Sequence, residues 1–166
     1  MDSITTDRLI LRAFRDKDAY RVQELAGNKR ISDMATNIPY PYSNDLALKW
    51  IGTHNELYKT GKGYIFAITI SSTNELVGAI SITDIKNHTA MLGYWIGFEY
   101  WNQGYCTEAC KALISFAKNN LNLTTINAEH IISNISSGKV LRKCGFRQID
   151  KNEQKIQYTL PLPPKA

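Results

Sequence analysis

The chain alternates between two hydrophobic periods, and the places where the period switches mark its elements. Residues 8–14 (Arg-Leu-Ile-Leu-Arg-Ala-Phe) are apolar in the middle and predict a strand. Asp16 or Asp18 then caps a helix on which Ala19, Val22, Leu25 and Ala26 recur at helical spacing. Residues 37–42 hold Pro39 and Pro41, each restricting the residue before it, so no regular helix fits there. Ser43 predicts the cap of a second helix carrying Leu46, Trp50, Ile51, His54 and Leu57, and Gly61-Lys62-Gly63 stops it. That Gly-Lys pair lacks the spacing of a phosphate loop.

Three strand-like runs follow, at residues 64–70, 76–83 and 90–96. Polar connections of hairpin length join them, at residues 71–74 and at Lys86-Asn87-His88, which predicts antiparallel pairing. After Gly104 the period changes: Cys106, Ala109, Cys110, Leu113, Phe116 and Ala117 fall on one helical face. Residues 124–132 predict a strand, and residues 136–143 a short helix around Val140 and Leu141. Gly145 sits where a helix end requires positive φ, with Phe146 as the hydrophobic contact that follows it. The last strands are predicted at residues 146–149 and 155–160, before an extended, frayed tail of Pro161-Leu162-Pro163-Pro164.

Composition narrows this picture modestly. A chain of 166 residues is expected to form one domain, residues 1–166. With 43% hydrophobic and 21% charged residues it has enough apolar content for a core, which argues against disorder. No apolar run reaches the ~20 residues of a membrane span, and the opening residues carry no secretion signal. A cytoplasmic location without membrane association is the expectation. Three cysteines, two of them four apart, do not form a disulfide framework. The N-x-S/T triplets at Asn87, Asn122 and Asn134 then read as chance matches. A net charge of +5 favours an anionic partner, but the basic residues are scattered, which disfavours nucleic acid.

Two segments carry chemistry. In Tyr94-Trp95-Ile96-Gly97-Phe98-Glu99-Tyr100-Trp101-Asn102-Gln103-Gly104-Tyr105-Cys106-Thr107-Glu108-Ala109 a strand gives way to an aromatic loop, and a helix starts at a glycine. Unpaired N–H groups at such a start, with the positive end of the helix dipole behind them, bind a pyrophosphate without basic side chains. Gly104 lets the backbone approach such a ligand, and Thr107 adds a hydroxyl. An ordinary strand–loop–helix connection fits the same residues. In the second segment, Asn134-Ile135-Ser136-Ser137-Gly138-Lys139-Val140-Leu141-Arg142-Lys143-Cys144-Gly145-Phe146, any of Asn134, Ser136 and Ser137 could cap a basic amphipathic helix. Cys106 and Cys110 at the start of the preceding helix read as small core residues rather than as a nucleophile, and they lack the partners of a metal site.

Together these segments resemble the GNAT superfamily of acetyl-CoA-dependent N-acetyltransferases, and more closely its RimJ/RimL-like branch. The window Trp101-Asn102-Gln103-Gly104-Tyr105-Cys106 is similar to the (Q/R)-x-x-G-x-(G/A) signature, with the Trp usual in this branch and Cys106 as a milder departure. Residues 6–12 resemble the branch's opening strand, residues 76–80 its third, and Asn134-x-x-Ser137 through Gly145-Phe146 its last helix motif. The matches span residues 5–146.

The resemblance implies an α/β (α+β) fold with a mixed, mostly antiparallel twisted sheet of about seven strands and about four flanking helices. That sheet splays open between its fourth strand (residues 90–96) and its fifth (residues 124–132). It implies acetyl-CoA as co-substrate and no metal, with the pantetheine arm on the backbone of Tyr94, Trp95 and Ile96. The pyrophosphate would then lie on the N–H groups of Gln103, Gly104, Tyr105, Cys106 and Thr107, and Asn134 would bond the pantetheine amide. Arg142 or Lys143 would meet the phosphates near the adenosine. Direct attack by a neutral amine is the family's mechanism, with Ser137 matching the serine proposed as the acid. Many relatives place a Glu three residues before the Tyr-Trp pair, where this chain has Met91. The base is therefore expected at Glu153, with Asp84, His88, Glu99, Glu129 or a water relay as alternatives. A peptide or protein amino group is the implied acceptor. The alternatives are a polyamine or aminoglycoside-like amine, or a non-catalytic acyl-CoA-binding or nucleic-acid-binding module. A net charge of +5 gives no global support for a polyamine pocket. The resemblance leaves a homodimer open.

Overall fold

A computed structural model describes residues 1–164. One sheet organises them, in the order β1-β2-β3-β4-β5-β6-β8-β7. Its strands are β1 (Ile4–Thr5), β2 (Leu9–Ala13), β3 (Tyr64–Ile70), β4 (Leu76–Lys86), β5 (Thr89–Ile96), β6 (Thr125–Ile131), β7 (Arg147–Lys151) and β8 (Lys155–Pro161). The helices are α1 (Ala19–Ala26), α2 (Lys29–Asp33), α3 (Asn44–Gly52), α4 (His54–Lys59), α5 (Tyr105–Asn120) and α6 (Ile135–Lys143). All pairings are antiparallel except β5 with β6.

Residues on β3 explain why helices cover both faces. Phe66 and Ile68 belong to one core with Leu9, Leu11 and the apolar stripe of α5. Ile65 and Ala67 point the other way, into a second core built with α1 and α3. A strand buried on both faces reads as a continuous apolar run, as Tyr64–Ile70 does. Each fully buried Leu, Ile or Phe contributes about 1.5–3 kcal/mol relative to exposure, so this central strand pins both layers.

Most predicted elements form, and the departures have local causes. The single helix foreseen from Ser43 through Leu57 is divided at Thr53, whose hydroxyl bonds back to the Trp50 carbonyl (2.7 Å). Short α2, capped by Asn28, and two-residue β1 carry too few residues for a periodic signal. With the division at Thr53, they account for eight strands and six helices where about seven and four were foreseen. The fourth-strand expectation corresponds to β5, and β4 runs three residues further than predicted, through a register shift between Thr83 and Lys86. The tail foreseen as frayed begins inside the sheet. Pro161 pairs with Thr125, and Leu162 is buried with its N–H on the Thr124 carbonyl (2.8 Å).

Asp18 closes the turn before α1. Its carboxylate accepts two bonds from Arg12 (2.8 and 3.0 Å) and one from the Arg15 N–H (2.8 Å). Burial works to raise its pKa, but these donors hold it below the ordinary carboxylate value.

At Gly78 in β4 the neighbouring strand comes too close for any side chain. A Cβ there would lie 2.3 Å from the Trp95 carbonyl oxygen and 3.1 Å from the Ile96 Cα. Gly78→Ala is expected to cost about 1–3 kcal/mol in urea unfolding, the range for overpacking, and a neutral result would show that β4 and β5 can separate freely.

Candidate active site

Gly104, at φ +80°, lets the chain turn into α5. The first bond inside the helix runs from the Glu108 N–H to the Gly104 carbonyl (3.1 Å). The N–H groups of Tyr105, Cys106 and Thr107 therefore precede the helical ladder and are free to face an anion. An ion-paired clamp fixes this turn from behind. Arg8 Nε donates to Glu108 (2.7 Å), Arg8 Nη1 donates to the Gln103 carbonyl (2.9 Å), and the guanidinium covers the Tyr105 ring at 4.5 Å. Glu108 also accepts from the Thr6 hydroxyl (2.5 Å) and the Arg8 N–H (2.9 Å). Burial pushes the Glu108 pKa up, but these donors outweigh it and keep the carboxylate below its ordinary value.

Beside this turn the sheet opens. β5 and β6 pair at Thr89–Thr125, Ala90–Ile126 and Met91–Asn127, and no further. Beyond that point lies a cleft of ≈ 470 Å³, lined by Tyr94, Trp95 and Ile96 of β5, residues 101–107 and the start of α6. Of the residues singled out in the sequence for cofactor contact, Tyr94, Trp95, Ile96, Gln103, Gly104, Tyr105, Cys106, Thr107, Asn134, Ser137 and Lys143 all line it. Arg142 does not: its guanidinium turns under α6 to the Tyr158 hydroxyl (3.4 Å). Lys139, which no motif marked, lines the cleft instead. Two groups are already engaged. The Ile96 carbonyl accepts from the Trp101 indole (2.7 Å). Asn134 caps α6 through the Ser137 N–H (3.2 Å) and donates to the Met34 carbonyl (3.2 Å). Free helix N–H groups, two lysines and an unpaired stretch of β5 fit a diphosphate joined to a long amide-bearing arm. Burial pushes the Cys106 thiol pKa up, which keeps it protonated and un-nucleophilic.

A second cavity of ≈ 650 Å³ lies on the α1, α3 and α4 side of β5 and shares Met34, Ala35, Tyr94, Trp95, Asn134 and Ser137 with the first. At this junction Tyr94 Oη and Ser137 Oγ are 2.6 Å apart. Ser137 is 6% exposed. Burial raises the Tyr94 pKa well above the ordinary phenol value, so the hydroxyl keeps its proton. Sequence reasoning had valued Tyr94 for its backbone and missed this contact, which needs α6 folded over β5.

The carboxylates divide clearly. Asp84 and Glu129 line the second cavity, Glu129 paired with Lys155 at 2.9 Å. Glu153 is exposed in the turn between β7 and β8 and lines neither cavity, because that hairpin carries it away from the cleft. Exposed His88 and Glu99 line neither cavity either. Met91 lines the second cavity at the position where the family pattern has Glu. Two histidines there escaped the sequence reading. His130 Nδ1 meets the Ile131 carbonyl (2.7 Å) and its Nε2 takes the Tyr158 hydroxyl (2.9 Å), which places the proton on Nδ1. His54 has both ring nitrogens buried without a partner and packs edge-on to Phe14 (5.4 Å) and Trp50 (4.5 Å). A buried unpaired polar group costs about 1–3 kcal/mol, and burial lowers the His54 pKa from 6.5 to about 4.

Comparison with known proteins agrees with this geometry. The family model for the acetyltransferase (GNAT) domain matches residues 8–147, so the chain belongs to the GNAT acetyltransferase family. The uncharacterized N-acetyltransferase YoaA of Bacillus subtilis is 30% identical over 147 residues, covering 87% of this chain and 82% of its own length. The ribosomal protein uS5-alanine N-acetyltransferase of Escherichia coli is 26% identical over 151 residues, covering 87% and 78%. Among solved structures, the ribosomal L7/L12 alpha-N-protein acetyltransferase RimL in complex with coenzyme A superposes with a TM-score of 0.88 at 18% identity, covering 97% and 98% of the two chains. The microcin C7 self-immunity acetyltransferase MccE, solved with acetyl-CoA and AMP, gives 0.83 at 19% identity, covering 95% and 94%. The fold is thus the mixed, open GNAT sheet. Among the described residues no helix is long and apolar enough to cross a membrane.

Two outcomes follow from the charges. Glu108→Gln loosens the Arg8 clamp and should raise the KM for acetyl-CoA about tenfold, the equivalent of about 1.4 kcal/mol, with kcat little changed. An unaltered KM would show that the turn holds its shape alone. His54 is neutral in the fold down to about pH 4, whereas the unfolded chain protonates it near 6.5. The unfolded state therefore binds more protons between those values, and stability falls as pH drops through that window. Tm measured from pH 8 to pH 4 should fall further in the wild type than in His54→Phe, and parallel curves would refute the buried neutral state.

Proposed function

We propose that this enzyme transfers the acetyl group of acetyl-CoA to a primary amine, most simply the amino terminus of a peptide or protein, by direct attack in a ternary complex. The observation that carries this is the Tyr94–Ser137 hydroxyl pair, whose residues line both cavities. A cofactor cleft and an acceptor cavity need to share only the point of transfer, and here that point holds two proton-bearing groups. The relatives' activity on ribosomal-protein amino groups supports the peptide acceptor.

Acetyl-CoA, when bound, supplies the activated acetyl thioester, and the protein supplies position and protons. Tyr105, Cys106 and Thr107 hold the diphosphate on their free N–H groups, and Gln103 and Gly104 shape the turn. Lys139 and Lys143 add charge beside it. The β5 backbone at Tyr94 and Trp95 aligns the pantetheine arm, and an N–H there faces the carbonyl oxygen as negative charge develops. Ser137 donates a proton to the departing sulfur and takes one from Tyr94, which burial keeps protonated until then, and the proton that the nitrogen sheds as the amide forms returns through water to Tyr94. An acceptor arriving as an ammonium must lose a proton first. Asp84 and Glu129 are the carboxylates on its side of the junction, and they take that proton through water. Asn134 holds α6 in register by capping it.

Thermal unfolding with and without acetyl-CoA tests the cofactor, since a ligand of the folded state raises Tm by mass action. Ser137→Ala is expected to lower kcat about 100-fold, within the general-acid range, and to keep that thermal shift. Tyr94→Phe should show a smaller loss of kcat. Thiol release across peptide amino termini, polyamines and aminoglycosides identifies the acceptor class. An unchanged rate in Ser137→Ala would remove the acid, and acetyl-CoA binding with no thiol release from any amine would remove the transferase activity.

A further inference from the structure

The acceptor cavity is walled in a way that a small amino-terminal residue would not use. Four rings form a continuous series: Phe14 to His54 (5.4 Å), His54 to Trp50 (4.5 Å), and Trp50 to Trp95 (6.4 Å between centroids). Trp95 follows Tyr94 in β5 with its side chain on the opposite face, and both residues line the two cavities, so the series runs to the wall that the cavities share. His54, Trp50 and Trp95 line the cavity itself, with Tyr42 and apolar residues such as Met91 beside them.

His54 takes part as a neutral ring. Its nitrogens meet no donor or acceptor, and its contacts are the edges of Phe14 and Trp50. Burial keeps it uncharged at neutral pH, so no imidazolium repels an incoming ammonium. Among the described residues lining the cavity, Lys49 is the one lysine or arginine, against the carboxylates Asp84 and Glu129. The space of ≈ 650 Å³ falls within the range of pockets that enclose a drug-sized ligand. An alanine or serine side chain would fill a small part of it and leave the aromatic faces in contact with water.

We infer that the acceptor is a primary amine carried on an aromatic or large apolar body, with the amine at Tyr94 and Ser137 and the body against Trp50, His54 and Trp95. This rests on the transferase reading above and gives it a substrate class. Aromatic edges and faces pack such a body with a geometric preference that aliphatic walls lack, and indole faces also attract the ammonium. The amine comes either from the first residue of a peptide or from a free arylalkylamine, since both present the same group to the same wall.

The test uses the full chain with acetyl-CoA and measures thiol release for tetrapeptides that differ only at residue one (Ala, Ser, Leu, Phe or Trp), with phenethylamine and tryptamine as free amines. The kcat/KM for Phe and Trp peptides, or for the free arylalkylamines, should exceed that for Ala and Ser peptides at least tenfold. Preference among the aromatic acceptors for peptides or for free amines identifies the source and supports the inference in either case. Tryptophan emission provides a readout independent of turnover. Phenethylamine and the Phe peptide should shift it saturably without acetyl-CoA, and Trp50→Leu should weaken that binding at least fivefold while preserving the acetyl-CoA thermal shift. Saturable aromatic binding without thiol release would overturn the transferase reading and leave the pocket's preference standing. Ala and Ser peptides turning over as well as the aromatic ones, or no emission change with either aromatic amine, would overturn the inference.

Discussion

β5 and β6 share three parallel residue pairs and then separate, and the rest of the active-site architecture depends on that separation. A sheet is held by its ladder of backbone bonds, so a strand that loses its neighbour exposes polar backbone that something else must meet. From Leu92 to Ile96 one edge of β5 faces the two cavities rather than β6, while the other edge stays fixed to β4. The gap is spanned by α6 rather than by strand pairing. Its Ser137 reaches Tyr94, and Asn134 ties the start of the helix to Met34 on the far side. Hydrogen bonds thus tether the start of α6 to both edges of the opening.

The electrostatics of the turn into α5 look contradictory until the pairs are traced. Glu108 lies in the first turn of α5, beside N–H groups suited to an anion. Its charge is consumed by Arg8 and Thr6, and the guanidinium it holds lies against the Gln103 carbonyl and the Tyr105 ring. A carboxylate near an anion site thus serves to place a cation. The net charge of +5, scattered along the sequence, gains a local meaning from Lys139 and Lys143 on the opposite wall of the cleft.

Much of this was legible in the chain. Strand-like apolar runs and hairpin-length connections placed the central strands, and the apolar stripe from Cys106 to Ala117 placed α5 within one residue of its start. Gly145 adopts the positive φ that its place after α6 requires, and Gly104 before α5 is also at positive φ. The family pattern named eleven of the residues that line the cleft beside α5, because most of that cleft is built from two contiguous segments whose order the chain preserves. Arg142 and Glu153 fell outside it for a common reason. A residue's number fixes its element, but the direction of its side chain depends on which neighbour packs beneath that element. Tyr158 draws Arg142 under α6, and the β7–β8 hairpin carries Glu153 into solvent.

Local order in the sequence determined the elements, the glycine turns and the strip of backbone suited to a diphosphate, since each depends on residues within a few positions of one another. Tertiary structure alone decided the chemistry between distant residues: Arg8 with Glu108, Tyr94 with Ser137, and the ring series from Phe14 to Trp95. These contacts join segments tens of residues apart, and each depends on the angle and register at which helices settle on the sheet. Hydrophobic periodicity specifies that a face is buried, but the close packing of particular side chains determines what that face touches.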